Sequence, residues 1–374
     1  MQLPIDVKAV LDEAMSIDEA GRTPVSATVY VDASCPQDVL ELALAALSPQ
    51  APHARVAFGS LDDALAAPYP GDDAAVVVAG TDERVGQAAA CLRAAGVPAM
   101  VLTTLPTLVL ELAQAAGSPI PDGDVVAPGG TGVPLARRLA CAAKGKPQAA
   151  VEYDADAAEP AELDEASARQ LKERMGAWVV AACREKKLAF ALAFPFVRRP
   201  LSLEAVGATA LQNAGVGLVM FIPGADMPVM TLNQAKMLLQ IAAAYGQPMS
   251  IARVKELACV VGGAFACRTA ARQVAGAVPA LGWAVKAAIG YAGTEAMGRA
   301  AIEYFEAGGS AAGLAETAAR ARDAAVAAAG AAQGARAVLG RATERARGLA
   351  AAARGCAAKR AGTGAADETE GARA

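Results

Sequence analysis

Four short runs of β-branched and small apolar residues recur near the start of the chain, with helical stretches between them. They are ATVYVD (27–32), ARVAFG (54–59), AAVVVAG (74–80) and PAMVLTT (98–104). Runs that are continuously apolar belong to strands buried on both faces, which is the setting of a parallel sheet. Between the last two lies TDERVGQAAACLRAAG (81–96), with Asp82 and Glu83 near its start and Gly96 at its close. Acidic residues at the first turn and glycine after the last mark a crossover helix in a βαβ unit. DVVAPGG (124–130) offers a further strand. The expected architecture is a Rossmann-like, doubly wound α/β domain over residues 1–147.

Such a domain binds nucleotides when a glycine-rich turn brings backbone N–H groups to a phosphate. No G-x-x-x-x-G-K-[ST] occurs in the chain, so there is no P-loop. VVVAGTDERVG has the wrong spacing for G-x-G-x-x-G and places acidic residues where phosphate would dock. APGGTGVP (127–134) is glycine-rich, carries two prolines and is followed by Arg137 and Arg138. An anion could sit there, with a plain loop as the simpler reading. The residues at the strand exits that could line a ligand are Thr81, Asp82, Thr103, Gly129, Gly130 and Thr131. No cofactor is expected.

QAAVEYDADAAEPAELDEA (148–166) is acidic and lacks apolar periodicity, as a linker or helix lead-in does, and the linker is drawn at 148–165. Everything from 166 to 307 reads as helix. ASARQLKERMGAWVVAACREKKLAFALAF (166–194) predicts one long amphipathic helix ending at Pro195. Arg198, Arg199 and Pro200 follow, where an interfacial anchor would stand. Residues 205–225 then run for 21 positions without a charge, long enough to span a bilayer. Gly207, Gln212, Asn213, Gly215 and Gly217 dilute that run. Pro223-Gly224 breaks it, Asp226 stands at an N-cap position, and Pro228 falls in the first turn of a new helix that closes at Gly246. Asn233, Lys236 or Met237, and Gln240 share one helical face, the pattern of a solvated stripe or of a polar site. The segment 250–278 ends before Pro279, and in the following helix Ala284, Ala288, Ala292, Ala296 and Ala300 form an i+4 line flanked by Gly290 and Gly298. Small residues at that spacing allow close helix approach in lipid and in water alike.

Charge limits how these helices meet a membrane. Arg268, Arg272, Lys286, Glu295 and Arg299 interrupt the apolar runs, and each unpaired charge at a bilayer centre costs about 2.5–3.5 kcal/mol. Hairpins that insert partly, or pack in an oligomer, fit better than full spans. Residues 1–160 hold 9 Lys/Arg and 21 Asp/Glu, while 161–374 hold 25 and 17, so an acidic first part precedes a basic one. That asymmetry suits anionic lipid or an acidic partner, and equally a solvated Arg-rich helical surface. No nucleic-acid partner is expected. Seven scattered cysteines without C-x-x-C argue for a reducing compartment and against a zinc site. The single histidine, His53, excludes sites that need a second one and reads as a loop residue ahead of a strand. The first residues carry no cleavable-signal pattern. Residues 308–374 are alanine with regularly placed Arg and Glu, a helix and tail.

Several blocks in order carry a family resemblance: TALQN (209–213), IPGADMPVMTLNQAKM (222–237), IAAAYG (241–246) and PALGWAVKAAIGYAGTEAMGRAAIEYF (279–305). Residues 165–307 resemble the bacterial family called domain of unknown function 697, which includes YcjF-like inner-membrane proteins and modules joined to Era-like GTPases. The matching positions include Gln212, Asn213, Pro223, Gly224, Asp226, Pro228, Asn233, Gln234, Lys236, Pro279, Gly282, Trp283, Lys286 and Gly293. The resemblance implies a membrane-associated helical module at the bacterial inner membrane, with its first domain cytoplasmic, and a GTPase connection. No Asn-Lys-x-Asp or P-loop accompanies it, so the GTPase would be a separate chain.

Three functions follow. One is a non-enzymatic membrane-associated scaffold, contacting lipid, a GTPase partner and copies of itself through small-residue helix faces. Another is an α/β protein binding a nucleotide or small ligand at the strand exits. The third, a hydrolase or transferase using Asp226 or a cysteine, finds no nucleophile paired with a base.

Overall fold

The computed structural model describes residues 16–17, 19–129, 163–219, 226–247 and 282–308, with the side chains of 217–219, 226–228 and 282–289 outside that description. Five parallel strands form one sheet in the order β2-β1-β3-β4-β5. They are β1 (Val25–Val31), β2 (Ala54–Ser60), β3 (Ala74–Val78), β4 (Ala99–Leu102) and β5 (Val125–Val126). The fold is α/β, and each apolar run singled out in the sequence is a strand. β3, AAVVV, is buried at every position because it lies inside the sheet. β2 has no fully buried position because it is an edge. This order is doubly wound, with its topological switch between β1 and β3.

Side chains alternate between two faces, as the pleat requires. Ala75 and Val77 join Tyr30, Ala99 and Val101 on one face. That face is covered by α2 (Leu61–Ala66), α3 (Val85–Ala94) and α4 (Pro106–Ala115). Val76 and Val78 join Val25, Val29, Met100 and Leu102 on the other face. There α1 (Gln37–Ala46) supplies Val39, Leu42 and Ala43. The rest of this cover comes from beyond the acidic segment: Leu171, Met175 and Trp178 of α5 (Glu165–Ala182), with Phe190 and Phe194 at α6 (Lys187–Ala193). The apolar stripe of 166–194 is therefore used against the sheet. Asp164 starts α5, its carboxylate accepting the Ser167 N–H at 2.7 Å.

One expectation for this region needs correction. The single helix expected over 166–194 is two, broken at Cys183–Lys186, where Lys186 pairs with Asp73 at 2.7 Å and anchors the corner to the sheet. The second of these ends at Ala193, just before Pro195 as expected, and Pro195 itself opens α7 (Pro195–Val219), at a position where its missing N–H costs nothing. Pro200 lies inside α7, and Gly176 of α5 leaves room for it: a Cβ at Gly176 would stand 2.4 Å from the Phe196 carbonyl oxygen and 2.7 Å from Pro200.

α7 continues into a three-helix packing with α8 (Asp226–Ala244) and α9 (Gly282–Glu306). Val206, Met237, Ile241, Met297, Ile302 and Phe305 form its core. α7 and α9 run antiparallel, because Gly290 approaches Asn213, Gly298 approaches Val206 and Glu306 pairs with Arg199. Tyr245 packs against this core and against the sheet-covering core, tying the two together. α8 begins at Asp226 with Pro228 in its first turn. It ends at Gly246, whose φ of 68° lets Gln247 N–H return to the Ala242 carbonyl at 2.9 Å. Pro223, Gly224 and Pro279 lie outside the described residues, as do the segment 250–278 and the alanine-rich part from 309.

No helix among the described residues is long and apolar enough to cross a membrane. The face of α9 that packs is Gly290, Thr294, Met297, Gly298 and Ala301, whereas Ala292 on the alanine line is exposed. The flanking glycines thus serve contacts within the chain.

Candidate functional site

In a doubly wound sheet, ligands bind beyond the C-terminal ends of the strands at the switch point. Here β1 ends at Val31 and Asp32 follows it, only 1% exposed. One carboxylate oxygen of Asp32 accepts the Ser34 N–H at 2.8 Å and the Ser34 hydroxyl at 2.8 Å. The other accepts N–H groups from across the switch, Gly80 at 2.7 Å and Asp82 at 3.2 Å. The Thr81 N–H donates to Ser34 Oγ at 2.8 Å. Gly80 is required for this approach, since a Cβ there would stand 2.2 Å from the Ser34 carbonyl oxygen.

Converging backbone N–H groups of this kind form an anion cradle. In this chain the cradle holds its own carboxylate. Around it, Arg84 pairs with Asp62 and with Asp82, both at 2.7 Å. The Asp82 carboxyl is held below its ordinary range chiefly by its hydrogen bond to Arg84, against some desolvation. Thr103 is fully buried, and its hydroxyl accepts the Leu105 N–H at 3.0 Å. Thr104 Oγ1 is buried with no partner among the described residues, and is the group there that a ligand could still engage.

The chemistry available is narrow. Burial, then the charge of Asp32, raises the pKa of the Cys35 thiol, so it stays protonated and a poor nucleophile. His53 stands directly ahead of β2, at the opposite end of the strands, roughly 20 Å away by strand length.

A second polar cluster lies in the three-helix core. Thr294, fully buried, donates its hydroxyl to the Gly290 carbonyl at 2.7 Å. It accepts from Asn213 Nδ2 at 2.9 Å and from Gln234 Nε2 at 3.0 Å. Asn233 Nδ2 donates to Asn213 Oδ1 at 3.0 Å. One hydroxyl donor and two acceptor lone pairs are thereby all used. The cluster joins α7, α8 and α9.

The structure therefore brings Asn213, Asn233 and Gln234 together, while Gln212 is exposed on α7 and Lys236 half-buried on α8. Met237 turns into the core and Gln240 is exposed, so the face expected to hold Asn233, Lys236 or Met237, and Gln240 is divided. Gly293 is half-buried beside Thr294; Gly282, Trp283 and Lys286 are placed by backbone on α9. Thr81 and Asp82 lie just beyond the end of β3, and Thr103 follows β4 directly. Gly129 is the last described residue there, its N–H donating to Gln170 at 2.8 Å, and Gly130 and Thr131 fall outside the description. Arg198 and Arg199, where an anchor is expected, both have partners within the fold. Arg198 donates to Gln50 at 2.9 Å and Arg199 pairs with Glu306 at 2.7 Å. Sequence reasoning missed Asp32, Ser34, Gly80 and Thr294. An Asp closing a β-branched run, as in VYVDAS, is the signal that could have found the first.

No protein-family model, curated protein or solved structure matches this chain.

Proposed function

We propose that this protein is a non-enzymatic scaffold or adaptor in which an α/β layer with a self-closed ligand crevice carries a three-helix arm. The observation that supports it is Asp32, which fills the anion cradle at the switch point with a side chain of the protein itself. Asp62 and Asp82 beside it add negative charge where a nucleotide's phosphates would come. Against the alternative of a nucleotide-binding protein, the N–H groups needed for phosphate are already satisfied.

The arm is the part that resembles the membrane-associated family, and it carries exposed Leu203, Leu211, Val229 and Tyr291. We place it peripherally on the bacterial inner membrane, recruiting a separate GTPase. Fractionation of cells tests this. The protein is expected in the membrane pellet at low salt and released by alkaline carbonate without detergent. Full recovery in the low-salt supernatant removes the membrane part of the proposal, and a requirement for detergent removes the peripheral part.

A further inference from the structure

We propose that two copies of this chain join through β2, edge to edge and antiparallel, about a two-fold axis at Ala57. The two edges of the sheet are built differently. β5 has two residues, and Arg174 occupies the Ala127 carbonyl just beyond it at 3.0 Å. Short strands and side chains on the edge groups are how proteins keep an edge from pairing. β2 has seven residues, no proline, and no strand on its outer side among the described residues. Two exposed large hydrophobics stand at it: Phe58 on β2 itself, 57% exposed, and Tyr69 under the Arg55 guanidinium.

The register defines which backbone groups are free. Val25 N–H donates to the His53 carbonyl at 3.2 Å, and β1 and β2 pair Val25 with Ala54. The parallel ladder then turns Arg55, Ala57 and Gly59 toward β1, and Ala54, Val56, Phe58 and Ser60 outward. The outward N–H groups at the two ends are already bonded, Ala54 to the Ala51 carbonyl at 3.2 Å and Ser60 to Asp63 at 2.7 Å. Val56 and Phe58 remain, one residue either side of Ala57. A two-fold axis at Ala57 sets Val56 of each copy against Phe58 of the other as a hydrogen-bonded pair, satisfying the outward N–H and C=O groups of both. It is an isologous contact, which closes on itself.

Side chains agree with this register on both faces. On one, Phe58 meets Val56 of the second copy, an aromatic and β-branched cross-strand pair. On the other, Arg55 lies opposite Gly59 of the second copy. Asp63 borders that glycine, its carboxylate 3.2 Å from where a Cβ would be. Arg55 pairs with Asp72 of its own chain at 3.1 Å yet stays half exposed, so its outer side would face Asp63 of the second copy, twice across the axis.

Sedimentation velocity of the full chain over a range of concentrations tests the proposal, with two variants. The native chain is expected to be a concentration-dependent dimer. Phe58→Lys is expected to raise the dissociation constant at least about tenfold with the melting temperature of the subunit unchanged. Ala57→Cys is expected to cross-link two chains under mild oxidation while the native chain does not, since residues facing across such an axis stand about 4.5 Å apart at Cα. A monomer at all concentrations, a dimer indifferent to Phe58→Lys, or no cross-link through Cys at 57 overturns it. The cross-link decides the matter if Phe58→Lys disturbs folding.

Discussion

The Asp32 carboxylate accepts the Gly80 N–H at 2.7 Å, joining the ends of β1 and β3 at the point where the sheet reverses its winding. Asp32→Ala would leave the N–H groups of Ser34, Gly80 and Asp82 without their acceptor. The expected loss is about 3 kcal/mol of unfolding free energy by denaturant titration. The vacated cradle should then accept a small anion. Phosphate is expected to raise the melting temperature of the variant and leave the native protein unchanged.

Thr294→Val keeps the shape of the side chain and removes its hydroxyl. Asn213 Nδ2 and Gln234 Nε2 then lose an acceptor inside a core that excludes water. Thermal unfolding should show a loss of about 2–4 kcal/mol, with Thr294→Ser retaining most of the stability. Equal stability of the Val and Ser variants would mean that the network contributes nothing.

Close packing between α7 and α9 gives a third expectation. A Cβ at Gly298 would stand 2.2 Å from Cγ2 of Val206. Gly298→Ala should cost about 1–3 kcal/mol through overpacking. Adding Val206→Ala should restore part of it, and a double-mutant cycle measures the coupling.

The pH dependence rests on Cys183. Burial, then the charge of Asp73, pushes its thiol from an ordinary 9.0 up to about 12, with Lys186 opposing. The folded thiol thus keeps its proton at a pH where the unfolded one has lost it. Stability from this group is complete below pH 9 and is lost as pH rises toward 12. Tyr245, raised by burial and by Glu306, acts in the same direction above its ordinary 10.0. Melting temperature should fall across that alkaline range, and less steeply in Cys183→Ala.

The strands were legible because AAVVV and AMVL are apolar at every position and VSATVYV and ARVAFGS are rich in β-branched and aromatic residues between turn signals. Their order was not, since nothing in a strand's composition names its neighbours. The role of 166–194 was hidden for a related reason. A stripe of Leu171, Met175, Trp178 and Phe190 reads the same whether it covers a sheet or another helix. The break at Cys183–Lys186 was missed because Arg184, Glu185 and Lys186 are good helix formers. At the break Lys186 pairs with Asp73, a partner far off in the sequence. Asn213, Asn233 and Gln234 were visible in motif text. Thr294 was not, because a threonine in an alanine-rich helix becomes notable only when two amides point at it.

Titration calorimetry of the native chain with ATP, GTP, NAD and FMN tests the central claim that the switch-point crevice is closed. The account predicts no saturable heat with any of them. Saturable binding that Asp82→Ala or Thr103→Val weakens would contradict it and return the strand exits to the role of a ligand site.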